Sequence, residues 1–223
     1  MGDGKVMINV IYEDNHILVA IKPINVPIQA DSSKDVDFLS MLKDYIKKKY
    51  NKPGNVYLGL VHRLDRPVSG VMVFAKTSKA AKRLSRQISN HEFKKTYMAI
   101  VCGKIDNKGT FTDKLLKDRK TNTTVISENG KYAELSYNLI SYVDGLSLVK
   151  INLKTGRSHQ IRVQFSSRGF PLYGDQRYNS NAKKDQIALF ASSLEFMHPI
   201  SKERLVFSCP MPNRYPFTLF KKD

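Results

Sequence analysis

The chain has 223 residues, 37 of them Lys or Arg and 20 Asp or Glu, for a formal net charge of +17. With 41% hydrophobic and 26% charged residues it has the make-up of an ordinary globular protein, which excludes a disordered or fibrous chain. No apolar run reaches the ~18 residues a membrane helix requires, and the opening MGDGKVMINV lacks the apolar stretch of a secretory leader, so a cytoplasmic protein is expected.

A charge excess of this sign concentrates polyanions and steers their approach, which puts nucleic acid first among partners; a merely solubilising basic surface is the bland alternative. The two cysteines, Cys102 and Cys209, are far apart and have no companions at metal-ligand spacing, so they read as buried thiols rather than a disulfide or a zinc site.

Residues 8–23 (INVIYEDNHILVAIKP) read as a hairpin around Glu13-Asp14-Asn15-His16. Residues 36–50 carry Phe38, Leu39, Leu42, Tyr45 and Ile46 at helical spacing, stop at Asn51-Lys52-Pro53-Gly54, and place Lys47-Lys48-Lys49 in the last turn, where the helix dipole favours cations. Residues 56–61 and 71–76 are short buried strands around a polar loop. A helix over 78–89, with Ser78 as its cap, turns Ala81, Leu84 and Ile88 inward and Lys79, Lys82, Arg83 and Arg86 outward. Strand follows strand from Thr96 to Thr155. Residues 158–167 read as a short helix, with Ser158 at its start and Gly169-Phe170-Pro171 after its end, and two strands over 187–196 and 203–210 complete the pattern. No repeat or long linker interrupts it. The expectation is one α+β (mixed α/β) body spanning 1–223, a single domain.

Three clusters can carry chemistry. In HRLDRPVSGVMVFAK (62–76), Asp65 lies in a loop stiffened by Pro67 and leading into a buried strand, with Arg63 and Arg66 on either side to keep it ionised and nucleophilic. An ion-paired turn aspartate is the competing reading. In TGRSHQIRVQF (155–165), Gly156 permits an unusual turn, and Arg157, His159 and Arg162 follow closely. A helix there sets His159 and Arg162 on one face, able to present a guanidinium to carboxylate or phosphate. In Lys94-Lys95-Thr96-Tyr97, basic residues precede an aromatic that can stack on a base.

Taken together and in order, these pieces resemble the RluA-type family of RNA pseudouridine synthases. Residues 11–27 are similar to its opening strand pair, 62–76 to its HRLD–SG–AK signature, Lys95 and Tyr97 to its KxY motif, and 155–162 to its TGRxHQIR motif. Residues 170–178 and 189–199 match its C-terminal pieces. The resemblance implies the pseudouridine synthase catalytic fold, a largely antiparallel mixed central sheet flanked by helices with an active-site cleft, and no metal or cofactor. It implies that Asp65 attacks the target uridine covalently, that the uracil detaches, turns and rejoins ribose C1′ through C5, and that the nucleotide is flipped out, since a stacked base cannot be rotated. Attack at C1′ and at uracil C6 stay equally open. Tyr97 would stack on the base, Arg162 pair with the catalytic carboxylate, and Arg63 fill the vacated space. Arg66, Lys76, Lys95, Arg157 and His159 join Arg63 as expected RNA contacts.

Val68 stands where the family has Thr, Ile24-Asn25-Val26 replaces its small-Gly-apolar turn, and Gln164 replaces a common His. Asn25 tolerates a left-handed backbone, which preserves the turn. The similarity begins by about residue 8, so no separate N-terminal RNA-binding domain is expected. The expected partner is structured RNA, ribosomal or transfer, bound by a monomer. The competing class is a non-catalytic RNA-binding protein on the same scaffold, which would have no need of a carboxylate facing phosphates.

Overall fold

The computed structural model describes residues 7–31, 33–118, 120–182 and 184–221. They form a mixed α/β protein of eleven strands, three α-helices and one short 3₁₀ turn. They divide into two compact units: the residues up to Phe93 with Ser193–Cys209, and Lys94–Ser192 with the residues from Pro210 onward. Every strand pair described below is antiparallel.

In the first unit, β1 (Asn9–Glu13) pairs with β2 (Ile17–Lys22), which pairs with β4 (Ser69–Ala75). The two-residue β3 (Gly59–Leu60) adds to β4, a shorter strand than the apolar run over 56–61 suggests. β2 and β4 read as unbroken apolar runs because both of their faces are covered. On one face Ile17, Val19, Val71, Val73 and Ala75 pack with Ala80 and Leu84 of α2 (Ser78–Ser89) and with Phe93, Leu194 and Phe196. Phe93 and Phe196 stack at 5.1 Å. On the other face Phe74 meets Phe38 of α1 (Phe38–Lys49) edge-on. Asp37 caps α1 by accepting from Ser40 N at 3.0 Å. The cap of α2 is Thr77 rather than Ser78: its hydroxyl accepts from Ala80 N at 3.1 Å, so the first turn begins one residue later than its Ser suggests. β10 (Leu189–Met197) ends in this unit, where its last residues pair with β11 (Arg204–Ser208).

In the second unit, β5 (Lys94–Cys102), β9 (Leu146–Leu153), β8 (Lys131–Val143), β6 (Lys108–Asp118) and β7 (Thr123–Ile126) pair in that order. Register puts Lys95 opposite Leu153 and Tyr97 opposite Ile151. α3 (Gln160–Ser166) packs on this sheet through Phe165, whose ring contacts Phe111 at 5.0 Å and Tyr137 at 5.4 Å. The helix starts later than expected. His159 precedes it with a left-handed φ of 52°, and Ser158 does not cap it; Arg157 N instead donates to the Gln160 side chain at 3.0 Å. Neither cysteine forms a disulfide; both are half-buried, and burial pushes the Cys209 thiol up to about 11.

Candidate active site

Asp65 occupies the loop that enters β4. Its neighbours Leu64 and Val68 are buried, at 6% and 2% exposure, and anchor the loop on both sides, while Asp65 itself stays half-buried. Val68 N donates to Asp65 O at 3.0 Å, closing a turn with Pro67 inside it. His62 Nε2 accepts from Val73 N at 3.1 Å, which ties the start of the loop to the strand it leads into. Gly70 has a φ of 132°, a conformation that favours glycine, at the position paired with Lys22.

Lys22 organises this loop. Its side chain is 0% exposed, and its ammonium donates to Pro23 O at 2.9 Å, Arg66 O at 3.0 Å and Val68 O at 2.9 Å. An ammonium has three N–H bonds, and all three are used here. Two of the carbonyls lie immediately after Asp65, so Lys22 fixes the backbone on which the carboxylate is mounted. Burial pulls the Lys22 pKa down to about 7, while the charge of Asp65 acts in the opposite direction and Arg66 adds to the depression. The side chain of Arg66 turns away from Asp65 to the loop 25–35. Its Nε donates to Asn25 O at 3.1 Å, one η nitrogen donates to Ser33 Oγ at 2.9 Å, and the other pairs with Asp35. Asn25 has the expected left-handed backbone, with φ 60°.

The second unit gathers the TGRSHQIR residues. Thr155, Gln160 and Gln164 form a buried chain: Thr155 Oγ1 donates to Gln160 Oε1 at 2.8 Å, Gln160 Nε2 to Gln164 Oε1 at 3.0 Å, and Gln164 Nε2 to Asp113 at 2.7 Å. This chain holds the turn against the helix, and Gln164 serves it with both a donor and an acceptor. Arg162 is 6% exposed and forms a bidentate pair with Asp175, Nε to Oδ2 at 2.8 Å and Nη2 to Oδ1 at 2.7 Å, while its guanidinium lies over the Tyr178 ring at 5.0 Å. His159 lies outside α3, but its Nδ1 hydrogen-bonds the Tyr178 hydroxyl at 2.7 Å, so His159 and Arg162 converge on one tyrosine rather than on one helical face. Arg157 is exposed, with Nε on Tyr132 O at 2.8 Å. Lys95 and Tyr97 lie two apart on β5, hence on one face, and are 8% and 7% exposed. Burial lowers the Lys95 pKa. Gly156 lies beside its ammonium: a Cβ there would come within 3.1 Å of Lys95 Nζ. Gly156 has no positive φ, so it serves close approach rather than an unusual turn.

Of the expected RNA contacts, Arg63 is exposed. Lys76 is not a surface cation: it pairs with Glu13 at 2.7 Å, and its ammonium lies over Tyr50 at 5.0 Å, fastening the end of β4 to β1. On α2, Lys79, Lys82 and Arg86 are exposed, whereas Arg83 donates to Pro199 O at 2.7 Å. Two residues escaped the sequence reading. Lys22 is the polar end of ILVAIKP, an ionisable group closing an apolar strand; Asp175, in GDQRY, has no local signal, because its partner is 13 residues away. Among the described residues no group of three or more His, Cys, Asp or Glu is placed to hold a metal, and no helix is long and apolar enough to cross a membrane.

Residues 16–167 match the model of the RNA pseudouridylate synthase family. The chain is 35% identical over 211 residues to the uncharacterized RNA pseudouridine synthase YhcT of Bacillus subtilis (strain 168), covering 92% of this chain and 69% of that protein. It is 33% identical over 220 residues to the ribosomal large subunit pseudouridine synthase D of Zymomonas mobilis, with the same coverage of 92% and 69%. Among solved structures, human RNA pseudouridylate synthase domain containing 4 shares the fold at a TM-score of 0.80 and 21% identity, over 95% of this chain and 92% of that one. Human RNA pseudouridylate synthase domain containing 1 gives 0.76 at 25% identity, over 94% and 86%. The chain belongs to the RNA pseudouridylate synthase family, the enzymes that isomerise uridine to pseudouridine in RNA. Within it, the chain is of the RluA type that its ordered motifs resemble.

Proposed function

We propose that this chain isomerises uridine in large-subunit ribosomal RNA by covalent catalysis through Asp65. The substrate class follows relatives such as the ribosomal large subunit pseudouridine synthase D of Zymomonas mobilis. The observation that carries the catalytic assignment is the mounting of Asp65. A half-buried carboxylate sits on a loop whose next backbone carbonyls are gripped by the buried Lys22 ammonium. A nucleophile held in one geometry enters the reaction with its orientational entropy already spent. Asp65 bonds covalently to the flipped uridine, the C1′–N1 bond breaks with its electron pair on N1, the uracil turns, a C1′–C5 bond forms, the Asp65–substrate bond breaks to restore the carboxylate, and C5 loses a proton while N1 gains one. Tyr97 stacks on the base, Arg162 supplies the guanidinium that complements the carboxylate, and Asp175 presets that arginine. Arg63 occupies the space of the flipped nucleotide, and Arg157 and His159 contact the strand. Arg66 acts through the 25–35 loop that it holds, and Lys76 through its tie between β4 and β1. The enzyme works as a single catalytic domain, a cytoplasmic monomer without metal or cofactor. The family match running from 16 to 167, through residues of both units, supports the single domain.

The test is tritium release from unmodified large-subunit ribosomal RNA transcript labelled at uridine C5. Wild type releases tritium; Asp65→Asn binds the RNA with wild-type affinity and is slower by at least ~1000-fold. Appreciable turnover by Asp65→Asn removes Asp65 from the chemistry.

A further inference from the structure

Lys95 is 8% exposed, and among the described residues its ammonium makes no hydrogen bond and no ion pair. Burial alone acts on its charge; no carboxylate offsets it. Other cations of this unit have partners: Lys154 pairs with Glu134 at 2.9 Å, Arg162 with Asp175, and Arg157 donates to Tyr132 O. Its Nζ is not among the sealed, unpartnered atoms of the described residues, so the ammonium meets solvent at the end of a buried stem, where an acceptor from outside can reach it. The surroundings of Lys95 are arranged for that arrival. Gly156 has no side chain, so the backbone of the TGR turn passes close to the ammonium, and any larger residue would crowd it. Tyr97, the stacking residue, lies two positions along on the same strand face.

We propose that Lys95 is the site at which a single phosphate of the RNA strand is neutralised, close to the nucleotide that Tyr97 engages. The proposal rests on the synthase reading for the identity of the ligand as RNA. A phosphodiester is favoured over a uracil carbonyl because the site lacks one negative charge, and a neutral acceptor would leave the ammonium uncompensated. Lys95 is thus a binding group, distinct from the internally satisfied Lys22.

The experiment measures binding of the large-subunit ribosomal RNA transcript across a salt series in the Asp65→Asn background, so that turnover does not change the ligand. Lys95→Met and Lys95→Gln each weaken binding by roughly tenfold or more, and each lowers the slope of log affinity against log salt by about 0.7–0.9, the signature of one lost phosphate contact. Their melting temperatures equal or exceed that of the parent, because a charge that burial disfavours and no protein group pairs has been removed. Parental affinity and slope in both variants overturn the proposal. So does weaker binding at an unchanged slope, which assigns Lys95 to a base, and so does a melting temperature that falls together with affinity, which makes Lys95 structural. Tritium release by wild type is scored separately: its absence sinks the synthase reading, while the salt slopes still decide whether Lys95 holds a phosphate.

Discussion

Lys22 and Lys95 are both lysines at strand ends, both buried, and both displaced below the usual lysine range by burial. They differ in what surrounds the ammonium. Lys22 meets three backbone carbonyls, that of Pro23 beside it and those of Arg66 and Val68 after Asp65, so its donors are all used within the fold. Lys95 meets no acceptor and lies against a glycine. The first is an internal fastener of the Asp65 loop; the second has its ammonium free of any acceptor among the described residues. Burial alone does not distinguish structure from function here, but the count of satisfied donors does.

Removing each lysine therefore should have opposite consequences for stability. The largest effect belongs to Lys22→Met, which leaves one buried and two part-buried carbonyls without this donor, at about 1–3 kcal/mol for the buried one and less for the others, offset in part by the loss of a buried charge. A net loss of about 1–2 kcal/mol in denaturant unfolding is expected, with turnover falling as the Asp65 loop loosens. A Lys22→Met variant as stable as wild type would erase the contrast with Lys95→Met, which keeps or gains stability.

The pH dependence sharpens the contrast. Lys22 has a folded pKa of about 7, below its unfolded value of 10.5, so between the two the unfolded chain binds more protons than the folded one. Stability from this group is therefore least below about 7 and grows as pH rises toward 10.5. The advantage of wild type over Lys22→Met should widen over that window in denaturant titrations. For Lys95 the shift has the same sign, so any stability gained by Lys95→Met should shrink as pH rises. A Lys22 difference that narrows instead would mean that the charged form is the one the fold prefers.

The smallest effect is at Gly156. An alanine Cβ would come within 3.1 Å of Lys95 Nζ, the flexible end of a long side chain that can yield by a few tenths of an ångström. With no positive φ to strain, Gly156→Ala should leave stability within about 1 kcal/mol of wild type. Its expected effect is on RNA affinity, a few-fold weaker through displacement of the ammonium. Unchanged affinity would separate the glycine from the function of Lys95.

Much of this was legible in the chain itself. The apolar runs of β2 and β4, the helices over 38–49 and 78–89, the stiff HRLDRP loop and the ordered family motifs are local or sequential patterns, written in spacing and turn chemistry. They point to the family that the comparisons show. α3 starts later than Ser158 suggests because Gln160, not Ser158, takes up the free backbone donor, a choice between two local hydrogen bonds that composition does not rank.

What the sequence determined by itself is the periodicity of its elements and the order of its chemical groups, because both are set by near neighbours along the chain. Which of those groups are satisfied was decided by tertiary structure alone. Lys76 turned inward to Glu13, Arg66 to the 25–35 loop, Arg162 to Asp175 and Lys22 to the carbonyls around Val68, while Lys95 was left waiting. The reason is that a charge in a protein interior takes its energy from the few atoms packed against it, and folding brings those atoms in from distant parts of the chain.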